Sequence, residues 1–238
     1  MDKVNKVFGL RLGAAVLLLC VNAAFCFADV PFIGTWKLDE GVFYRFNTDG
    51  TGGTAAMAEG PFSNDFSFLV WNGTGDTPGY PRQNTLALVR GEAVSPQIDL
   101  YSYSVSGDTI RASKSGGETF VFTRVSGAPA PLRLDNPLIG QWEAKWNGQN
   151  HSGALGTWSF WYRGDGSVKT YHHRLHQFEN AYLTRGNLLV IIGEWRFHPA
   201  LPVNTAVFTL KDRNRVSANE ASGAVWEYAR KEKARWKS

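Results

Sequence analysis

Histidines near enough in sequence to share a metal ion occur in one segment, Tyr171-His172-His173-Arg174-Leu175-His176. In a β-strand, His172 and His176 would face the same side but lie roughly 13 Å apart at ~3.3 Å per residue, too far for one zinc ion. In a helix they would approach each other, but His173 stands where a metalloprotease has its general-base glutamate. The segment therefore predicts a polar strand or loop at the rim of a sheet, and we expect no metal site.

Other patterns that carry chemistry are absent from the sequence. It has no Gly-x-Ser-x-Gly nucleophile motif, no phosphate loop and no dinucleotide fingerprint. Glu194 beside Trp195 is a single carboxylate, whereas glycoside hydrolysis uses two. With no catalytic residue to name and no cofactor motif, we expect a non-catalytic protein without a cofactor.

The chain repeats itself. Gly34-Thr35-Trp36 recurs as Gly140-Gln141-Trp142, and the aromatic segment ending at Arg124 recurs as one ending at Arg230. The separation from Trp to Arg is 88 residues in both units. A repeat of this length indicates a duplicated domain rather than a solenoid.

Short alternating runs rich in β-branched and aromatic residues fill both units, separated by Gly, Asn and Asp turns. We predict about eight strands per unit, including a hairpin at Asp49-Gly50 and another at Asp165-Gly166. The predicted fold class is all-β, with two tandem, small, antiparallel up-and-down β-barrels. The predicted boundaries are 29–125 and 136–238, with a linker at 126–135 and a first unit that folds alone when the chain is cut near Asp135.

Residues 1–28 have the pattern of a signal peptide: a basic start, an apolar run from Leu12 to Phe27, and a small-x-small site before Asp29. We expect export to the periplasm, the cell surface or the medium. An uncleaved anchor and lipidation at Cys26 are the alternatives. No other segment is apolar enough to span a membrane, so no transmembrane segment is expected after signal cleavage.

Aromatic residues of matching parity suggest what fills the barrels, because side chains alternate between the two faces of a strand. Tyr44 and Phe46 align with Phe160 and Tyr162 when the two Asp-Gly turns are superposed. These rings either fill small barrels or line a pocket for an apolar or aromatic ligand. The candidate ligand-binding residues are Tyr44, Phe46, Phe68, Trp158, Phe160, Tyr162 and Tyr171.

At these motifs the chain resembles the lipocalin and calycin proteins, and most of all small bacterial lipocalin-like domains. The segments that carry the likeness are Ile33–Trp36, Phe46–Gly52, Tyr101–Thr109, Phe122–Val125 and Asn136–Trp142. The resemblance implies that an arginine of the last strand covers the tryptophan of the first strand at the closed end of each barrel. Carried over to this chain, the pairs are Trp36 with Arg124 and Trp142 with Arg230.

Two functions fit these features. The first is binding of a small apolar or aromatic molecule inside one or both barrels. The second is an envelope or host-surface interaction module whose filled barrels bind a partner through the loops 72–84, 147–156 and 197–204. A nucleic-acid partner is not expected in an exported protein.

Overall fold

The computed structural model describes residues 29–72, 84–114, 117–146, 158–172, 175–193, 203–221 and 223–231, and of residues 146, 172 and 175–178 it gives the backbone only. The predicted signal peptide and the larger part of each of the three loops lie outside these ranges. Among the described residues, no helix has the length and apolar character needed to cross a membrane.

Sixteen antiparallel strands form two closed barrels in tandem, which confirms the predicted fold class. Barrel 1 consists of β1 (Gly34–Leu38), β2 (Phe43–Phe46), β3 (Thr51–Ala55), β4 (Phe66–Trp71), β5 (Thr85–Arg90), β6 (Gln97–Ser106), β7 (Thr109–Lys114) and β8 (Thr119–Ser126). Barrel 2 consists of β9 (Gly140–Trp146), β10 (Trp158–Tyr162), β11 (Ser167–His172), β12 (Leu175–Arg185), β13 (Leu188–Ile192), β14 (Val203–Asp212), β15 (Arg215–Glu220) and β16 (Val225–Arg230).

Each barrel closes by pairing its first strand with its last, so neither leaves a sheet edge open. We call the end at which β1 and β9 begin the base, and the opposite end the mouth. The turn at Asp49-Gly50 lies at the base, where the Asp49 carboxylate accepts hydrogen bonds from the amide and hydroxyl of Thr51. Asp165 makes the same two contacts with Ser167 in barrel 2. The two hairpins are thus built alike, as expected of a duplicated unit.

The two barrels share a third apolar core between their outer faces. It contains Leu69 of β4, Val89 of β5, Leu183 of β12 and Val190 of β13, all of them buried. In β5, Leu86 and Leu88 point into the barrel while Ala87 and Val89 join this shared core, so the strand is buried on both faces. This shared core argues against the expectation that the first unit folds alone after a cut near Asp135.

The predicted linker packs into the structure rather than spanning open solvent. Leu132 is 6% exposed and belongs to the core of barrel 1, whereas Leu134 packs against the core of barrel 2. Their backbones bridge the two base turns, because the amide of Arg133 donates to the carbonyl of Thr48 and that of Leu134 donates to the carbonyl of Gly164. The segment therefore fixes both hairpins to each other.

Candidate functional site

The base of barrel 1 is closed by Trp36 and Arg124. The guanidinium carbon of Arg124 lies 4.1 Å from the centre of the Trp36 ring, a distance typical of a cation–π contact. Arg124 also donates to the carbonyl oxygens of Ile33 and Pro31, at 2.9 Å each. Trp36 is fully buried, and its ring nitrogen donates to the carbonyl of Phe32 at 2.6 Å. The arginine therefore ties down the chain segment that leads into β1.

The base of barrel 2 repeats this arrangement group for group. Arg230 lies 4.3 Å from the centre of the Trp142 ring and donates to the carbonyls of Ile139 and Pro137, at 2.9 and 3.0 Å. The Trp142 ring nitrogen donates to the carbonyl of Leu138 at 2.7 Å. Such a clamp holds the barrel closed and leaves no reacting group exposed, so it is a structural feature rather than a reaction centre.

Three of the candidate ligand-binding residues lie inside barrel 1. Phe46 and Phe68 are buried, and Tyr44 is half-buried nearer the mouth. The Phe46 ring centre is 5.0 Å from that of Phe68 and 5.3 Å from that of Phe32. Rings at this spacing are in van der Waals contact and leave no space for a ligand between them.

The predicted rings of barrel 2 form a continuous stack along β10. Phe160 lies between Trp158 and Tyr162, with ring centres 6.4 and 5.9 Å away, and all three side chains are buried. Tyr162 also meets Tyr182 at 4.8 Å. Strand alternation places these residues together on the inner face, as predicted. Their rings, however, pack against one another.

Tyr171 corrects one residue of the predicted ligand set. Its side chain is 42% exposed, and it pairs with Ser159, whose neighbours Trp158 and Phe160 point inward. Because side chains alternate along a strand, the residues paired at this position face outward. Tyr171 therefore lies on the outer surface of barrel 2 and cannot line its interior.

The mouth of barrel 2 contains a cavity of about 10 Å³, which is space for about one water molecule. It is lined by apolar side chains such as Ile191, Leu189 and Phe160, and by the polar groups of Asn204 and Glu220. The Glu220 carboxylate accepts hydrogen bonds from the Trp226 ring nitrogen at 2.6 Å and from the Asn204 amide at 3.1 Å. A drug-sized apolar molecule does not fit this space.

Three buried tyrosines, Tyr162, Tyr182 and Tyr228, place hydroxyl groups in the interior of barrel 2. Burial raises the pKa of Tyr162 well above its usual range, and burial likewise raises the pKa of Tyr228 and of Tyr182. The Tyr182 hydroxyl donates to the carbonyl of Arg163 at 2.9 Å. These groups stay protonated at neutral pH, so none of them serves as a base there.

The mouth of barrel 1 has a charged cluster that the sequence analysis did not single out. Asp99, buried on β6, accepts from Arg90 at 2.7 Å through one carboxylate oxygen and from Lys114 at 2.6 Å through the other. Gln97 donates to the same carboxylate at 3.2 Å. We call Arg90, Asp99 and Lys114 the mouth triad.

The mouth triad faces two tyrosines. Burial raises the pKa of Tyr44, and the nearby Arg90 guanidinium opposes part of that rise. Burial also raises the pKa of Tyr101, to which the Asp99 carboxylate adds. The hydrogen bond to Asp99 raises the pKa of Lys114, so this ammonium group stays charged at neutral pH. The site therefore combines aromatic rings with cations.

Strand alternation and strand pairing together place this triad on the inner face of barrel 1. Leu88 pairs with Asp99 and Tyr101 pairs with Lys114, so Asp99, Tyr101 and Lys114 share the inner face with the core residue Leu88. The inward positions nearest the mouth, however, can be identified only once the register of β5, β6 and β7 is known. The sequence alone does not fix that register.

Much of the histidine cluster and most of the residues of the three predicted binding loops lie outside the part of the chain that the structure describes. His173 falls outside the described residues, as do the side chains of His172 and His176. Among the groups that are described, no three His, Cys, Asp or Glu side chains converge to hold a metal ion.

The ends of β4 and β5 that flank 72–84 lie at the base of barrel 1, whereas the strands that flank 147–156 and 197–204 end at the mouth of barrel 2. The three predicted binding loops therefore do not share one end.

Comparison with known proteins assigns no family to this chain. No protein-family model matches this chain, and no curated protein matches it. A solved structure that it resembles is an endo-1,5-alpha-L-arabinanase from Thermotoga petrophila RKU-1, with 8% sequence identity and a TM-score of 0.31. The match covers 86% of this chain and 56% of the arabinanase chain, so this chain spans little more than half the length of that enzyme.

This comparison corrects one expectation. The sequence predicts a non-catalytic protein, but a solved structure that resembles the chain is an enzyme, so that prediction is not retained. A TM-score of 0.31 is too low to carry the arabinanase activity over to this chain.

Proposed function

We propose that this chain is an exported, lipocalin-like interaction module whose barrels are filled by their own side chains and which binds an envelope or host-surface partner at the barrel mouths. The observation that carries the proposal is the packed interior. In barrel 2 the rings from Trp158 to Tyr162 stack on one another, and the space left beside them is about 10 Å³. An interior of this kind supports the fold and leaves recognition to surface groups.

Binding of a small apolar molecule inside a barrel is the alternative. It requires the rings of Phe46 or Phe160 to move apart, at the cost of the contacts that now hold them. The cavity at the mouth of barrel 2, about 10 Å³, is too small for such a molecule, so we rank this function second. It stays distinguishable from the first proposal, because an enclosed apolar ligand would copurify with the protein.

One experiment separates the two functions. The exported form, beginning near Asp29, is purified from the envelope of its own host and weighed by native mass spectrometry. The expected result is the mass of the bare chain. A reproducible small-molecule adduct that denaturation removes would support the alternative and contradict filled barrels.

A second experiment tests partner binding directly. The fluorescently labelled exported form is mixed with envelope fragments of its host, and the bound fraction is measured by sedimentation. Saturable binding is expected, and replacing 147–156 or 197–202 with Gly-Ser sequences of equal length should abolish it without lowering the melting temperature. The control replaces Leu210, which is 48% exposed, with serine and should bind normally. Absence of saturable binding, or binding that survives both loop replacements, would overturn the proposal.

A further inference from the structure

We propose that the hairpin joining β14 to β15, at the base of barrel 2, is a contact site for a membrane surface that carries anionic phospholipids. We call residues 210–216 the basic hairpin. It lies at the end of barrel 2 opposite the mouth, so contact with a membrane leaves the loops 147–156 and 197–204 accessible. The inference is therefore independent of partner binding by those loops. It rests on the charge of the hairpin, on an apolar side chain beside it and on the residues at the matching place of barrel 1.

The basic hairpin carries more cations than carboxylates. Lys211, Arg213 and Arg215 are exposed, and Asp212 forms an ion pair with Arg215 at 2.8 Å. Arg230 of β16 adds a further cation beside the hairpin, because its Nε donates to the carbonyl oxygen of Arg213 at 3.1 Å. The pair of Asp212 with Arg215 is neutral, so Lys211, Arg213 and Arg230 leave a positive charge at this place.

The described residues around the hairpin include further carboxylates, each placed beside a cation or on another side of the barrel. Glu143 of β9 forms an ion pair with Lys231, and Glu227 of β16 lies opposite Lys145. Asp165 belongs to the β10–β11 turn, which the strand order places on the opposite side of the barrel base. The linker and the base turn of barrel 1 join that same opposite side. These groups therefore do not cancel the charge of the hairpin.

An apolar side chain at the same place favours a membrane over a soluble polyanion. Leu210 precedes Lys211 and is 48% exposed. From Lys231, at this end of the barrel, the sequence continues Glu232-Lys233-Ala234-Arg235-Trp236-Lys237, in which cations again outnumber the carboxylate. Tryptophan is enriched where lipid meets water, and clusters of lysine and arginine attract anionic lipid. An anionic bilayer offers both kinds of partner, phosphate groups for the cations and acyl chains for the apolar residues.

Barrel 1 carries different residues at the matching place. In each barrel the tip of the hairpin follows an exposed apolar residue, Val105 in barrel 1 and Leu210 in barrel 2. The tip in barrel 1 reads Ser106-Gly107-Asp108-Thr109, and that in barrel 2 reads Lys211-Asp212-Arg213-Asn214. Asp108 forms an ion pair with Arg124 at 3.2 Å, so the charge of that tip is matched within its own barrel. The hairpin therefore does not need cations at its tip in order to form, and we assign those of barrel 2 to binding.

The test is sedimentation of the exported form with two kinds of vesicle, phosphatidylcholine alone and phosphatidylcholine mixed with phosphatidylglycerol. Binding to the mixed vesicles is expected, with little binding to phosphatidylcholine alone and a decline as the salt concentration rises. Equal binding to the two kinds of vesicle, or no binding to the mixed vesicles, would overturn the proposal.

Two double variants locate the contact. Lys211→Gln with Arg213→Gln should weaken binding to the mixed vesicles by about tenfold or more. Lys37→Gln with Arg111→Gln removes the same charge from exposed positions on the outer face of barrel 1, and should leave binding nearly unchanged. Equal losses in the two variants would show that net charge, rather than the basic hairpin, is responsible. Should the hairpin variant fail to fold, binding of the parent chain that does not weaken at about 0.5 M salt would overturn the proposal.

The vesicle test and the envelope test can fail separately. Envelope fragments also contain lipid, so binding by the loop variants is compared at about 0.5 M salt, where the lipid contact is screened. Envelope binding that depends on the loops at that salt survives failure of the membrane proposal. Vesicle binding, in turn, survives replacement of the loops.

Discussion

Arg185 of barrel 2 donates a hydrogen bond from Nε to the carbonyl oxygen of Gly91 in barrel 1, at 3.0 Å. The same guanidinium reaches the hydroxyl of Ser67 at 3.3 Å and the carbonyl of Asp65 at 3.4 Å. One side chain thus holds two separate segments of the other barrel. Together with the shared core beside it, this contact predicts that the two barrels unfold as a single cooperative unit.

The shared core predicts that a cavity in it weakens the whole chain. Leu183 is 2% exposed in that core, and Leu183→Ala should lower the free energy of unfolding by about 2–5 kcal/mol. Urea unfolding followed by fluorescence measures the loss, and both barrels should unfold in one transition. Leu210→Ala, at a residue that is 48% exposed, is the control with a change of at most about 0.5 kcal/mol. Two separate transitions in the parent chain would show that the barrels are independent.

The base clamp predicts coupling between its two members. Trp36→Ala should cost about 3–5 kcal/mol, because the ring is fully buried and leaves a cavity. Arg124→Met removes the cation and its two hydrogen bonds to carbonyls. The double mutant should lose less than the sum of the single losses, by about 0.5–2 kcal/mol. Strict additivity in chemical denaturation would mean that the stacked geometry contributes nothing. The same double-mutant cycle at Trp142 and Arg230 provides an independent repeat of this test.

The glycine before each clamp tryptophan is required by close packing. Gly34 has a φ of +117°, and a Cβ there would collide with the carbonyl oxygen of Ser126. Gly34→Ala should therefore destabilise the protein by about 1–3 kcal/mol, since it combines backbone strain with a clash. Gly107→Ala is the matched control: its φ is +56° and no atom lies within 4 Å of the added carbon, so a loss of about 1 kcal/mol is expected. Equal melting temperatures of the two variants would contradict this account of the Gly-x-Trp motif.

Buried tyrosines predict a loss of stability in alkali. Burial raises the pKa of Tyr103 in the folded chain, whereas an unfolded tyrosine ionises near pH 10. The unfolded state therefore releases the proton first, so the stability is present below about pH 10 and falls as the pH rises above it. Urea midpoints measured from about pH 8 to 11 follow this decline.

Tyr103→Phe is the variant that isolates one hydroxyl. It loses the hydrogen bond to Asn72, made at 2.8 Å, and should be less stable at neutral pH by about 0.5–1.5 kcal/mol. Its stability should then fall less steeply above about pH 10, because one ionising group is gone. A decline as steep as that of the parent would show that Tyr103 is not among the groups responsible.

The sequence by itself determined the local and repeating features. Alternating apolar residues and the two Asp-Gly turns specify strands and hairpins, and the matched Trp-to-Arg spacing specifies two equivalent units. The inward parity of Phe46, Phe160 and Tyr162 follows from the two-residue period of a strand. The same period excludes Tyr171 from the interior, because its partner Ser159 alternates with the inward-facing Trp158 and Phe160.

Only the tertiary structure decided how the units meet and what lies at their mouths. The run from Leu188 to Ile192 is apolar at every position, a pattern typical of burial on both faces, but it does not say which surface covers the second face. Arg90, Asp99 and Lys114 lie on three consecutive strands and converge through the register of those strands. Register and packing between distant strands depend on the whole set of nonlocal contacts, so local residue patterns could not supply them.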